Sequence, residues 1–200
     1  MILYRIIILA VSINAPSVSY AREAFEWDEV EDFAELRNEI GWSEDYEKLC
    51  RLNRPSQEMV DAVNAQDADR ILSVAIPWLK QCPIDIQAHM YALVGHSIPE
   101  PNEAGRIHFN WYEGLIQSIL NTGDGKTAET AYETISIAEE KAVLLYLELK
   151  PIRQSLVSKP LRDLIEVETK DGEKFSIWFN PAAHFARLAK MVKEMNENAK

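Results

Sequence analysis

Cysteine, glycine, histidine and positive charge are all scarce in this chain of 200 residues, and each shortage removes a class of function. The two cysteines, Cys50 and Cys82, do not form a Cys-x-x-Cys pair, which excludes a redox motif of that kind. The seven glycines build no nucleophile elbow, because no serine sits in a Gly-x-Ser-x-Gly setting. Gly125-Lys126-Thr127 imitates the end of a phosphate loop. Leu120 stands where that loop needs its first glycine, however, and a helical pattern precedes it in place of a strand. Basic residues number 21 against 32 acidic ones, a formal net charge of −11. A surface that negative repels phosphate backbones, because nucleic-acid binding relies on Lys and Arg displacing counterions. It also disfavours anionic membrane surfaces. Basic proteins, peptides or cations remain as partners; no cofactor is implied, and the oligomeric state is left open.

What is present begins with an apolar N-terminus. Residues 1–21 read as a secretory signal peptide: Arg5 supplies the positive charge, Ile6 to Val11 the apolar run, and Ser19 and Ala21 the small residues before cleavage. The run is too short for a membrane span, which needs about 20 residues. Asn14 and Pro16 also interrupt it. The expectation is a periplasmic or secreted protein whose mature part, residues 22–200, is one domain with no membrane segment. At 47% hydrophobic and 26% charged, the whole chain has the composition of a packed globule rather than of a disordered chain. In an oxidising compartment Cys50 and Cys82 could pair; otherwise they would be two buried thiols on adjacent helices.

Hydrophobic spacing divides the mature chain into a helical part, 22–120, and a part of sheet plus C-terminal helix, 121–200. Val30, Phe33, Ala34 and Arg37 repeat at helical spacing over 28–38, and Gly41 ends that run. Ser43 can cap the next segment, where Tyr46, Leu49 and Cys50 share a face. Pro55 and Ser56 restart the chain before Met59, Ala62 and Val63. Asp67 can cap a helix carrying Ile71, Ala75, Trp78 and Leu79, which Pro77 should kink or shorten. Residues 84–96 and 103–120 read as an antiparallel helix pair opened by Pro83 or Asp85 and separated by the Pro99–Pro101 loop. The stack is tetratricopeptide-like without a clean 34-residue repeat.

From Asn121 the pattern changes. Gly123-Asp124-Gly125 is a turn signal, Thr127 to Ala131 reads as one helical turn, and Thr134–Ile137 and Ala142–Leu149 read as strands. Leu164–Lys170 and Lys174–Phe179 form a hairpin around Asp171-Gly172. Pro181 opens a last helix whose buried stripe is Phe185, Leu188, Met191, Val192 and Met195. The fold expected is α+β: an antiparallel helix stack, then a small antiparallel sheet, then a C-terminal helix.

Several of these segments also carry a resemblance. Leu115 to Leu120, Gly123 to Thr127 and Ala131 to Ser136, followed by Glu139-Glu140, Gln154-Ser155-Leu156 and Trp178-Phe179-Asn180, resemble in order and spacing an exported bacterial family catalogued as domain of unknown function 4919. The similarity spans roughly residues 45–185 and departs at Lys141, where an aromatic would follow the glutamate pair. It implies an exported location and this order of elements, and no catalytic residues.

The candidate binding residues are His89, His96, His108, Trp111, Tyr112, Glu113 and Asp124. His89 and His96 are seven apart on one helix face, about 10.5 Å along the axis. That is too far for both to grip one ion at the roughly 2 Å of a Zn–N bond. His108 on the partner helix would then meet only one of them, with Glu113 near. No metal site is assigned. Trp111, Tyr112 and His108, with Tyr91 facing them, form either a ligand platform or plain core. Asn121, Asp124 and Glu129 lack the spacing of an EF-hand loop. Glu139 and Glu140 read as a solvated turn between strands, and His184 as a surface or capping residue. The reading is an acidic interaction or binding module, with no catalytic residue. A hydrolase using the helix-pair histidines, with metal or acid/base help, is the alternative. A third is an immunity or inhibitor protein that plugs a basic toxin.

Overall fold

Side-chain caps lay out the helical half. Asp32 accepts from the backbone N–H groups of Ala34 and Glu35 and starts α1, Phe33–Trp42. Asp67, Asp85 and Asn102 do the same for α3 (Ala68–Gln81), α4 (Ile86–Gly95) and α5 (Glu103–Leu120). Each satisfies N–H groups that a helix start leaves without a partner. Helix α2, Ser56–Asn64, follows Pro55. A computed structural model describes residues 30, 32–52 and 54–198; the signal peptide read over residues 1–21 lies outside them.

Three expectations shift locally. Gly41 is buried inside α1, which ends one residue later with Ser43 as its C-terminal cap. The next segment is a π-helical turn, Glu47–Arg51, that turns Cys50 inward. Pro77 lies within α3, which continues past it to Gln81. The α2–α3, α3–α4 and α4–α5 pairs pack in sequence order, whereas α1 lies against α5. That last contact is closer than any side chain at position 114 allows: a Cβ on Gly114 would sit 2.2 Å from Phe33 Cε2.

The second half departs further. The turn at Gly125 (φ +66°) leads through a loop with no helical turn over 127–131 into β1, Tyr132–Glu133, two residues ahead of the strand expected at 134–137. Residues 142–149 are not a strand. They belong mostly to α6, Ile137–Tyr146, which Ser136 caps by accepting from the Glu139 N–H. The strand that follows, β2 (Lys150–Ser158), carried no clear alternation. Then come β3 (Leu161–Glu168) and β4 (Lys174–Asn180), the expected hairpin, and α7 (Ala182–Asn198). The sheet order is β1-β4-β3-β2. It is mixed rather than antiparallel throughout, because β1 runs parallel to β4. The inward face of the hairpin, Asp163, Ile165, Val167, Ile177 and Phe179, is buried. One continuous core joins it to the helices through Val143 and Leu144 of α6. The stripe on α7 is only partly covered. Leu188, Val192 and Met195 are exposed, because the later turns run past the surface that the first ones pack on.

Cys50 and Cys82 are disulfide-bonded, joining the π-helical turn to the end of α3 across 32 residues of chain. Closing a loop of that length in the unfolded state stabilises the fold by about 3–4 kcal/mol in the chain-entropy model. Urea unfolding of the Cys50→Ser/Cys82→Ser variant is therefore expected at a clearly lower midpoint than the oxidised parent. Superimposable curves would show that the unfolded chain gains nothing from release.

Candidate functional site

The seven residues singled out in the sequence do not share one accessible site. His89 and His108 are buried on α4 and α5, and His96 is the half-buried cap at the end of α4. His108 lies between the other two, against the expectation that it would reach only one. Its Nδ1 is 3.1 Å from His89 Nδ1, and its ring stacks on His96 at 5.5 Å. The His89 ring in turn stacks on buried Trp111 at 5.0 Å, and Phe33 meets Trp111 edge-on. A carbonyl only accepts, so the contact of His89 Nε2 with the Pro83 oxygen at 2.7 Å puts a proton on Nε2. His89 Nδ1 then accepts from His108 Nδ1–H. Both rings are neutral in this chain of bonds. Burial lowers the pKa of His89 to about 4 and, with the neighbouring histidines, that of His108 to about 3. Tyr112 instead faces Tyr146 at 6.2 Å, and Glu113 is half-buried. Asp124 is spent on its own loop, accepting from the Lys126 N–H and the Thr130 hydroxyl. Among the described residues no group of three or more His, Cys, Asp or Glu side chains is placed to hold a metal ion.

A different place gathers polar groups around an opening. A cleft of about 190 Å³ lies where the helix stack meets the sheet half. The π-helical turn contributes Tyr46, Glu47, Cys50 and Arg51, and the α3–α4 connection contributes Cys82, Ile84 and Asp85. The segment Ile135–Glu139 forms the opposite wall, and α7 adds His184 and Arg187. His184 is thus a half-buried cleft residue rather than a surface one.

Its walls are locked by charge-assisted hydrogen bonds. Arg54 clamps both oxygens of Asp85 at 2.6 and 3.1 Å and also donates to Gln87 and Ser56. Asp85 accepts as well from the Trp78 indole at 2.7 Å. Burial pulls the Asp85 pKa up, but Arg54 and these donors outweigh it and hold the carboxyl below its usual range. Arg187 donates to Glu47 and to the carbonyls of Gly41 and Ile135, and its guanidinium lies 3.9 Å over the Tyr46 ring. Burial, then Glu139, pushes the Tyr46 phenol up to about 12, so it stays protonated.

Behind the Ile135–Glu139 wall lies a second layer of buried charge. Arg37 of α1 donates to Ser118 Oγ at 2.8 Å and to the Glu133 carbonyl at 2.7 Å. Its Nε is 3.1 Å from Glu139 Oε1, an ion pair whose angles fall short of a hydrogen bond. The other Glu139 oxygen accepts from the Ile135 N–H at 2.8 Å. Glu140 is fully buried near Asp163 of β3, and neither of its carboxyl oxygens has a hydrogen-bond partner among the described residues. Burial, then the Asp163 charge, raises its pKa to about 9. The glutamate pair is therefore interior rather than a solvated turn.

A family model described as a domain of unknown function (DUF4919) matches residues 30–187. The chain belongs to this family. The match reaches further toward the N-terminus than the motifs alone suggested and takes in Arg37, the π-helical turn and Arg187 of the cleft. The DUF4919 segments around Ala131–Ser136 and Glu139-Glu140 supply the cleft wall and the buried charge behind it. No curated protein and no solved structure matches the chain. Sequence reasoning missed Arg37, Arg54, Arg187 and Asp85 as site residues. They lie in separate segments, and only the tertiary fold brings them together.

Proposed function

We infer that the chain is an exported binding module and that the cleft between the helix stack and the sheet half is where it takes its ligand. The observation that carries this is the state of the cleft's ionic groups. Glu47, Asp85 and Glu139 are each held by an arginine. The two cysteines that line it are consumed in a disulfide. Groups held this way shape and stiffen a pocket rather than exchange protons with a substrate. Concave sites at the junction of two packed halves, with an apolar floor and a few fixed polar groups, are the usual seats for small ligands or peptide ends. The leader sequence and the disulfide both suit an oxidising compartment outside the cytoplasm.

The test uses protein recovered from the exported fraction, with its chain starting after Ala21. Mixtures of short peptides and small acids are added while backbone amide resonances are followed. Shifts are expected to cluster at Ile86, Ala138 and His184 and to vanish in Ala138→Trp. Position 138 is an exposed cleft-lining alanine, so the indole blocks the opening without disturbing the core. Shifts gathered at His96 and Tyr112 instead, or binding untouched by the tryptophan, would move the site elsewhere.

A further inference from the structure

We propose that the cleft takes a single carboxylate carried on a short apolar body, with Arg51 as the side chain that meets the charge; this rests on the cleft being the ligand seat. The chain as a whole carries −11, so an anion approaches favourably only where the local balance reverses. It reverses here. Three arginines, Arg51, Arg54 and Arg187, face two carboxylates, Glu47 and Asp85. The third lining carboxylate, Glu139, is already matched by Arg37 at 3.1 Å. One surplus positive charge suits a monoanion better than a phosphate dianion.

The three arginines are not equivalent. Arg54 donates to Asp85, Gln87 and Ser56, and Arg187 to Glu47 and two carbonyls. Both are mostly buried, so they contribute fixed potential. Arg51 is half exposed and is held by its Nε on Glu47, in the adjoining turn of its own helix. Arg51 lines the cleft and is the most solvent-accessible of the three arginines. A guanidinium edge pairs with a carboxylate through two parallel N–H bonds, a geometry a lysine cannot offer. His184 also lines the cleft, where burial, then Arg187, lowers its pKa.

The body of the ligand follows from the floor. Ile84, Ile86, Ile135 and the Cys50–Cys82 sulfurs are apolar. About 190 Å³ of space compares with the roughly 150 Å³ cavity that takes a benzene, enough for one branched or aromatic side chain. A free branched-chain acid and the C-terminal residue of a peptide present the same chemistry.

Four probes separate these sources: 4-methylpentanoate, its primary amide, and N-acetyl-Gly-Gly-Leu with a free or an amidated C-terminus. Each is titrated into the full mature protein by calorimetry and amide shifts. The carboxylates are expected to bind at least ten-fold more tightly than the amides, and to weaken with added salt. Arg51→Gln should cost about ten-fold for the carboxylates and leave the amides unchanged. Arg51→Lys should recover only part of the loss, while the unfolding midpoint of both variants stays at the parent value. A free-acid peptide that outcompetes 4-methylpentanoate identifies a chain terminus as the ligand; equal affinity identifies the small acid. Acids and amides that bind the cleft equally, or an Arg51→Gln variant with parent affinity, would overturn the carboxylate while leaving the cleft as a ligand seat. Cleft resonances unmoved by all four probes and by the broader mixtures would overturn both.

Discussion

Arg37→Met is expected to destabilise the chain by about 3–5 kcal/mol, the usual cost of removing one partner of a buried ion pair. The side chain is 2% exposed and ties four segments together: α1 by its own backbone, α5 through Ser118, β1 through the Glu133 carbonyl, and α6 through Glu139. Methionine fills similar volume, so cavity formation contributes little and the loss is mainly electrostatic. Glu139 is left buried with one backbone donor. Burial already raises its pKa, and Arg37 is the first influence pulling it back. Without Arg37 the carboxyl must take up a proton to stay inside. Arg37→Met/Glu139→Gln should therefore recover a good part of the loss, because a neutral amide asks for no counter-charge. Urea unfolding of the parent, the single and the double variant at pH 7 checks this. A single variant within about 1 kcal/mol of the parent, close to the worth of one ordinary hydrogen bond, would show that the ion pair is not what joins the halves.

The same junction marks where the sequence stops being readable. The boundaries of α3, α4 and α5 were legible because Asp67, the position at Asp85 and the break before Glu103 are local signals, each within one turn of the helix it starts. The β3–β4 hairpin was legible from Asp171-Gly172 and from alternation across it. Helix α6 was not. Ala142 to Leu147 is an unbroken apolar run, which suits a central strand as well as a helix buried on most sides. The deciding signal stood just upstream: Ser136-Ile137-Ala138-Glu139 has the Ser-x-x-Glu form of a helix start, and in the fold Ser136 does cap it. Misreading those residues also turned Glu139 and Glu140 outward on paper, whereas they are among the most buried charges in the fold. Strand β2 escaped notice because it is an edge strand exposed on both faces, with Pro151 near its start, so no burial pattern shaped its sequence. The cleft had no linear signature at all. Its charged residues come from the π-helical turn, the chain after it, the start of α4, the first turn of α6 and the first turns of α7, and their pairing is a product of the fold.

Stability is expected to peak near pH 6 to 6.5 and to fall on both sides, for two separate reasons buried in different layers. His89 and His108 titrate in the native state at about 4 and about 3, against about 6.5 in the unfolded chain. Above pH 6.5 both states are neutral and nothing is lost. Below it the unfolded chain binds protons that the native core refuses, so stability drops by about 1.4 kcal/mol per pH unit for each histidine until the native values are reached. Glu140 works in the opposite sense. Its native pKa of about 9 lies above the model value of 4.5, so the native state keeps a proton that the unfolded state sheds. That contribution is whole below pH 4.5 and is lost progressively as pH rises toward 9. The groups facing Glu140 are Asp163, Glu139 and Lys141, of which the two carboxylates reinforce the shift. Glu140→Gln removes the ionisation while keeping the shape. Its effect should be small at pH 5 and should grow to a stabilisation of a few kcal/mol at pH 8.5, flattening the alkaline limb and steepening the rise between pH 5 and 6.5, where only the histidines then titrate. Urea midpoints measured at half-unit steps from pH 4 to 9 separate the two limbs. Parent and Glu140→Gln curves that run parallel above pH 7 would mean that the carboxyl beneath the sheet ionises in place, and that the interior at Asp163 is far wetter than its packing implies.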